Sequence, residues 1–274
     1  MKIQLALAAS LFVALFAGAG PAAAQLKAGD NPEASVAWKK LRGELFAAKT
    51  IAAAPADMME IDAPTRAEDA SIVPIGVKMH FAQNAGRYVS KMYLIIDNNP
   101  APVAGVFRFT PISGRADIET RVRIDEYTHV RAVAEMNDGK LYMTTRFIKA
   151  AGGCSAPAAR DQAAALASLG KVKFRVESAP GTEGPVLAQL MISHPNNSGL
   201  AMDQVSRLFT PAHFVRSINI TFAGEPVMSV ELDNSISENP NLRFYFLPQG
   251  AGVLKAEIVD TKDQRFESAL SVKL

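Results

Sequence analysis

One residue in the 274-residue chain offers obvious covalent chemistry. Cys154 is the only cysteine, set in the run Lys149-Ala150-Ala151-Gly152-Gly153-Cys154-Ser155-Ala156-Pro157. A thiol without a second cysteine can be a nucleophile or a carrier of a bound group, but it cannot close an internal disulfide. Gly152 and Gly153 remove side chains and φ/ψ restriction just ahead of it. At about 3.3 Å per residue, the five steps from Lys149 allow a reach of roughly 15 Å. The expectation is a carried thiol on a Gly152-Gly153 arm. The competing reading, a cysteine packed as a small hydrophobe, has against it that nothing beside it is large enough to anchor a core.

The same stretch sets an expectation for reactivity. Pro157 suits a helical first turn and Gly170 a C-cap, so the alanine-rich segment between them reads as a helix. Free N–H groups at its start, with Arg146, Lys149 and Arg160 close in sequence, would favour the thiolate. An accessible thiol with a pKa below the ordinary value of about 8.5 is expected.

Little else suggests catalysis. His80, His129, His194 and His213 lie far apart without ligand spacing, and the reading for each is a structural hydrogen bond. His194 before Pro195 and His213 after Pro211-Ala212 are placed at strand ends. Arg121, Arg123 and Arg131 read as a solvated strand face, with docking of an acidic partner as the alternative. No nucleophile elbow, phosphate-cradling glycine loop or paired-cysteine metal site occurs. No cofactor is expected, and a dithiol redox enzyme lacks its resolving cysteine.

Composition bounds the class. Lys2, the apolar run Leu5 to Ala17 and Ala22-Ala23-Ala24 form a signal-peptide pattern, with cleavage expected before Gln25 and a periplasmic mature chain. The apolar run is too short for a membrane span, and no later segment is apolar enough. The whole chain has 29 Lys and Arg against 27 Asp and Glu. Removing a leader that holds one lysine and no acid leaves a net charge of +1, too little to attract nucleic acid.

The rest of the chain must position the thiol. Asn31 and Pro32 look like a helix start, followed by Val36, Ala37, Leu41, Leu45 and Phe46 at helical spacing, with Trp38 as packing anchor. From Ser71 the pattern changes to strands: Ile72–Phe81, Val89–Asp97, Val103–Thr110, Ala116–Ile124, His129–Met136 and Lys140–Lys149. After the alanine-rich stretch come Lys171–Glu177, Val186–Ser193, Phe214–Phe222, Val227–Leu232, Leu242–Leu247, Val253–Asp260 and Arg265–Lys273. Short strands without long intervening helices indicate an all-β fold of sandwiches. The expected division is a signal peptide over 1–24, a β-sandwich with an N-terminal helix over 25–150, the arm and linker over 151–169, and a second sandwich over 170–274.

Two sets of segments resemble known families. The first half is similar to SoxY, the sulfur-carrying subunit of the periplasmic thiosulfate-oxidising system. The likeness lies in Ala63-Pro64-Thr65-Arg66-Ala67-Glu68-Asp69-Ala70-Ser71-Ile72-Val73-Pro74, Asn99-Pro100-Ala101-Pro102, Glu119-Thr120-Arg121-Val122-Arg123 and Gly152-Gly153-Cys154. The second half resembles its partner SoxZ through Met191-Ile192-Ser193-His194-Pro195, Gly199-Leu200, Pro211-Ala212-His213-Phe214 and Ser235-Ile236-Ser237-Glu238-Asn239-Pro240. The resemblance implies two immunoglobulin-like sandwiches and a Cys154 that carries a sulfur-containing small molecule covalently while partner enzymes act on it. Fused carriers of this type imply periplasmic redox enzymes or cytochromes as partners, a quinoprotein dehydrogenase among them. In the family the Gly-Gly-Cys-Gly-Gly arm ends the chain, whereas here Ser155-Ala156 and more than a hundred further residues follow. The alternative to a covalent carrier is a non-catalytic accessory protein that binds a quinoprotein dehydrogenase or its cytochrome.

Overall fold

The structure, a computed structural model, describes residues 31–157, 162–177, 184–203 and 206–273. The leader pattern lies outside the described residues. After a 3-10 turn, Pro32–Ala34, and a helix, α1 (Val36–Phe46), the first half supplies eight strands. These are β1 (Ile51–Ala53), β2 (Met59–Asp62), β3 (Val73–Met79), β4 (Val89–Ile96), β5 (Val103–Phe109), β6 (Ile118–Val122), β7 (Thr128–Met136) and β8 (Leu141–Ile148). A short helix, α2 (Gln162–Ala167), leads to β9 (Val172–Glu177), β10 (Val186–Ile192), β11 (Val215–Phe222), β12 (Glu225–Leu232), β13 (Asn241–Phe246), β14 (Gly252–Asp260) and β15 (Arg265–Val272). The fold is all-β, with immunoglobulin-like sandwiches as expected.

The halves do not stand apart on a linker. One sheet runs β1-β8-β7-β4-β5-β12-β11-β14-β15 and the other β2-β3-β6-β13-β10-β9, so each contains strands of both halves. The joins are antiparallel: β5 on β12, from Phe109 opposite Met228 to Gly105 opposite Leu232, and β6 on β13 at Glu119–Arg243 and Ile118–Phe244. Four strand edges that would otherwise be open are thereby closed. Phe107, Ile118, Val122 and Ile96 from the first half share one apolar cluster with Val230, Ile236, Phe244 and Ile192 from the second. Two sandwiches thus make a single core.

The N-terminal segment differs from its expected form. Asn31 caps only the 3-10 turn, and Ser35 caps α1 by accepting the Trp38 N–H at 3.1 Å. Trp38 and Phe46 pack on Ile95, Val133 and Leu141, on the face of the large sheet opposite the main core. That cover explains why β7 is buried almost end to end rather than alternating. The solvated arginine face is a second correction. Only Arg121 is exposed, while Arg123 and Arg131 are fully buried. Arg131 holds Asp97 with two hydrogen bonds of 2.7 Å, donates to the Pro32 carbonyl at 2.6 Å and lies 4.4 Å from the Trp38 ring centre. The helix is therefore docked through a buried ion pair.

Removing one member of such a pair strands a charge. Asp97→Ala is expected to cost about 3–5 kcal/mol in urea unfolding, and the further change Arg131→Met should recover part of the loss. An Asp97→Ala loss below about 1 kcal/mol would mean water already solvates the pair.

Candidate functional site

The Gly152-Gly153-Cys154 segment leaves the end of β8 and is at once taken up by neighbouring backbone. The Lys149 N–H donates to Thr65 at 2.9 Å, and the Ala67 N–H donates to Lys149 at 3.1 Å. Gly152 N–H donates to the Asp125 carbonyl at 2.8 Å and Gly153 N–H to Ile124 at 2.9 Å. A Cβ on Gly153 would overlap the Ala70 carbonyl, the same oxygen that accepts the Ile124 N–H at 2.8 Å. Gly153 is therefore required for close backbone approach. Gly152 has open space where a Cβ would go and a φ of +81°, so its role is conformational.

Cys154 itself has no exposed surface, and its carbonyl accepts the Ser198 hydroxyl at 2.6 Å. The expected flexible arm is not what the fold contains: the segment is pinned on both flanks, and Gly153 serves tight packing rather than reach. Burial pushes the thiol pKa up to about 12, the Asp125 carboxylate adds to the rise, and Arg123 opposes it. The expected low pKa is thus reversed in sign. Helix α2 starts at Gln162, well past Pro157, and no helix N-terminus is described at the sulfur. In this state the thiol is protonated and sealed.

The seal is built by both halves. Gly152 and Gly153 donate to the carbonyls of Asp125 and Ile124, just past Arg123 in sequence, and the Arg123 charge is felt at the Cys154 thiol. The Arg123 N–H donates to the Ser235 carbonyl at 2.7 Å, and Nη1 donates to Ile236 at 2.5 Å and Asn234 at 3.4 Å. Asn99 ties the crossing together, with Nδ2 donating to the Arg123 carbonyl and the Ser235 hydroxyl and Oδ1 accepting the Asp125 N–H. Asn234 Nδ2 donates to the Ser198 carbonyl at 3.1 Å, joining the two loops of the second half that flank the cysteine. Periodicity around β6 would not reveal this role for Arg123, because in sequence it continues the alternation of exposed Arg121 although the strand ends at Val122.

The loop bearing Ser198 is held at its start by His194, His213 and Asp260. Three buried ligand-type side chains invite a metal reading. The hydrogen bonding argues against it. His194 Nδ1 accepts the Asn196 N–H at 3.0 Å, which leaves its proton on Nε2, directed at Asp260 Oδ2 at 3.4 Å. A metal on that Nε2 would require a ring stripped of both protons. His213 Nε2 lies 2.7 Å from the same oxygen, and Asp260 Oδ1 accepts the Lys262 and Gln264 N–H groups. The trio is a hydrogen-bonded anchor between β10, β11 and β14, as the structural reading of both histidines expects. Burial, with His213 adding to it, lowers the His194 pKa to about 4. His129 packs against Phe147 with the rings tilted by 60°, and His80 faces Glu60 at 3.8 Å. Neither approaches the cysteine's partners.

Two predictions follow from this geometry. Gly152→Ala is expected to cost about 1–2 kcal/mol from its backbone conformation alone. Gly153→Ala should cost more and speed thiol alkylation of the folded protein at least about tenfold, because the segment must lift off Ala70; equal effects of the two would refute the close-approach role. The second concerns pH. Between about 6.5 and about 4, folded His194 binds fewer protons than the unfolded chain, so stability falls as pH drops through that window. Urea titrations across it should show that slope, and His194→Gln should flatten it.

Comparison with known proteins places this geometry. The family described as sulfur oxidation protein SoxY matches residues 42–154, and the family described as sulphur oxidation protein SoxZ matches residues 174–271. Among solved structures, the sulfur carrier protein SoxY from Chlorobium limicola f thiosulfatophilum is 22% identical over 43% of this chain and 97% of its own, with a TM-score of 0.36. A superoxide reductase (neelaredoxin) variant, E23A, from Ignicoccus hospitalis is 18% identical over 34% of this chain and 78% of its own, with a TM-score of 0.31. No curated protein matches the chain. The SoxY match ends on Cys154, and the second match covers the loops that close over it. The chain therefore belongs to the SoxY and SoxZ families of sulfur-oxidation carrier proteins, which follow one another here in a single polypeptide.

Proposed function

We propose that this protein is a periplasmic carrier that holds sulfur-containing intermediates covalently on Cys154 and presents them to partner enzymes, without an active site of its own. The observation that carries the reading is the position of the sole cysteine, which ends the SoxY match and lies at the seam where the SoxZ half contributes the Ser198 hydroxyl. Joining the Cys154 thiol to the terminal sulfur of a thiosulfate-type anion forms an S–S bond and releases one proton and two electrons, so loading of that kind needs an electron acceptor. A periplasmic redox enzyme or cytochrome, such as one belonging to a quinoprotein dehydrogenase system, meets that need. Export rests on the leader pattern in residues 1–24.

Loading also needs a second state. With a pKa near 12 and no exposed surface, the sulfur reacts only after the segment lifts. Three of the bonds that hold it, from Ser198, Gly152 and Gly153, lie at the backbone, so lifting need not disturb the core clusters. A second reading, an accessory protein that binds a quinoprotein dehydrogenase or its cytochrome without chemistry at Cys154, is favoured by the same burial.

Intact and peptide mass spectrometry of protein taken from cells oxidising reduced sulfur compounds separates the two. The carrier reading expects a sulfur-containing mass increment on Cys154 that reducing agent removes. An unmodified thiol under all such conditions, with growth unaffected by Cys154→Ser, would leave the accessory reading in place.

A further inference from the structure

The loop that closes over Cys154 contains a hydrogen bond that a second proton on His194 would destroy. Nε2 of that ring faces Asp260 Oδ2 at 3.4 Å, and the same oxygen takes His213 Nε2 at 2.7 Å. The neutral ring keeps its proton on Nε2 and uses Nδ1 to accept the Asn196 N–H at 3.0 Å. Nδ1 is the one place left for an added proton, and with that proton it becomes a donor set against another donor. Attraction to Asp260 strengthens in the charged ring, so the ring stays and Asn196 gives way. The φ of Asn196 is +46°, a left-handed conformation that persists only where the surroundings over-determine it. Its other ties are Nδ2 donating to the Ile236 carbonyl at 3.3 Å and Oδ1 accepting the Val215 N–H at 3.0 Å. Two residues on, the Ser198 hydroxyl holds the Cys154 carbonyl at 2.6 Å.

We infer that His194 is a proton-operated latch on the thiol: a proton on Nδ1 expels the Asn196 N–H, shifts the backbone of 196–199 and withdraws Ser198 from Cys154. The inference concerns access to the sulfur and goes beyond the carrier reading, since it holds whatever Cys154 carries. His194 is a positioning residue here, acting through Asn196 and Ser198. Among the described residues, the titratable side chains that act on its ring are His213, with ring centres 4.6 Å apart, and Asp260 from β14. Lys262 and Gln264 reach that carboxylate through their backbone N–H groups, and the Asn239 side chain accepts the His194 N–H. The direction follows from which state takes the proton. Burial first and His213 second lower the His194 pKa to about 4 in the closed fold, from an ordinary 6.5. Once the loop has moved and water reaches the ring, the proton binds near that ordinary value. Opening is therefore least frequent above pH 6.5 and rises as pH falls, by about fiftyfold between pH 6.5 and pH 4 for one proton.

The test reads the thiol of the full chain between pH 7 and pH 4 with 4,4′-dithiodipyridine, which reacts with thiols across that range. Attack by the Cys154 sulfur breaks the reagent's S–S bond and leaves a mixed disulfide. One 4-thiopyridone departs with the electron pair, and the thiol's proton goes with it. Dividing each rate by that of a peptide spanning residues 149–157 at the same pH removes the intrinsic chemistry and leaves the opening equilibrium. The relative rate is expected to rise about fiftyfold from pH 6.5 to pH 4. It should also stay at least about tenfold above the unfolded fraction found by urea titration, so that local opening is what is read. His194→Asn, whose amide oxygen still offers an acceptor to the Asn196 N–H but does not titrate, should flatten the profile. Ser198→Ala should react faster at pH 7 and lose the pH dependence as well, because the bond the latch releases is already gone. A flat wild-type profile, a slope that survives either substitution, or relative rates equal to the unfolded fraction at every pH overturns the inference. If His194→Asn does not fold, the wild-type profile and Ser198→Ala still decide it.

Discussion

Two strand edges hold this molecule together. Where β5 meets β12 and β6 meets β13, each sheet passes from one half of the chain to the other without a break. Everything around Cys154 depends on that continuity. The second half can place the Asn234, Ser235 and Ile236 carbonyls against Arg123, and the Ser237 hydroxyl on the Ser71 carbonyl, only because β6 and β13 share a register. Pulling the halves apart would open a shared core and four strand edges at once. The fusion thus makes permanent an association that separate chains would have to maintain by concentration.

Within that frame the cysteine is held by backbone more than by side chains. Carbonyls of Asp125, Ile124 and Ala70 crowd the two glycines, and a single hydroxyl from Ser198 closes the other side. The loop that brings Ser198 is in turn anchored by Asp260 through two histidines, and Asn196 bonds both to that anchor and to the Ile236 carbonyl beside Arg123. Protonation of the anchor and closure over the thiol therefore involve one continuous stretch, 193–199.

Much of this was legible in the sequence and some was not, for identifiable reasons. Alternation and turn residues located β3 to β15, because a half-buried strand repeats every two residues whatever its neighbours. The same alternation could not separate Arg123 and Arg131 from Arg121, since burial of a charge depends on a partner distant in sequence: Asp97 in one case, the Ile236 carbonyl in the other. The glycine pair was open to two readings. Glycine serves both freedom and close approach, and the choice here is made by the Ala70 carbonyl, 83 residues of chain earlier. Reading the pair as freedom led to an exposed, acidic thiol, and desolvation inverted both expectations.

The position of Cys154 between β8 and α2 has a topological consequence for any enzyme that acts on it. A group at a free chain end can be fed down a narrow tunnel. A group on a loop tied at both ends enters only as a doubled strand, at least two backbones wide, or about 10 Å. An enzyme serving this protein at Cys154 accordingly requires an open-sided cleft, and enzymes whose reactive centre lies at the bottom of a single-file channel are excluded by shape alone.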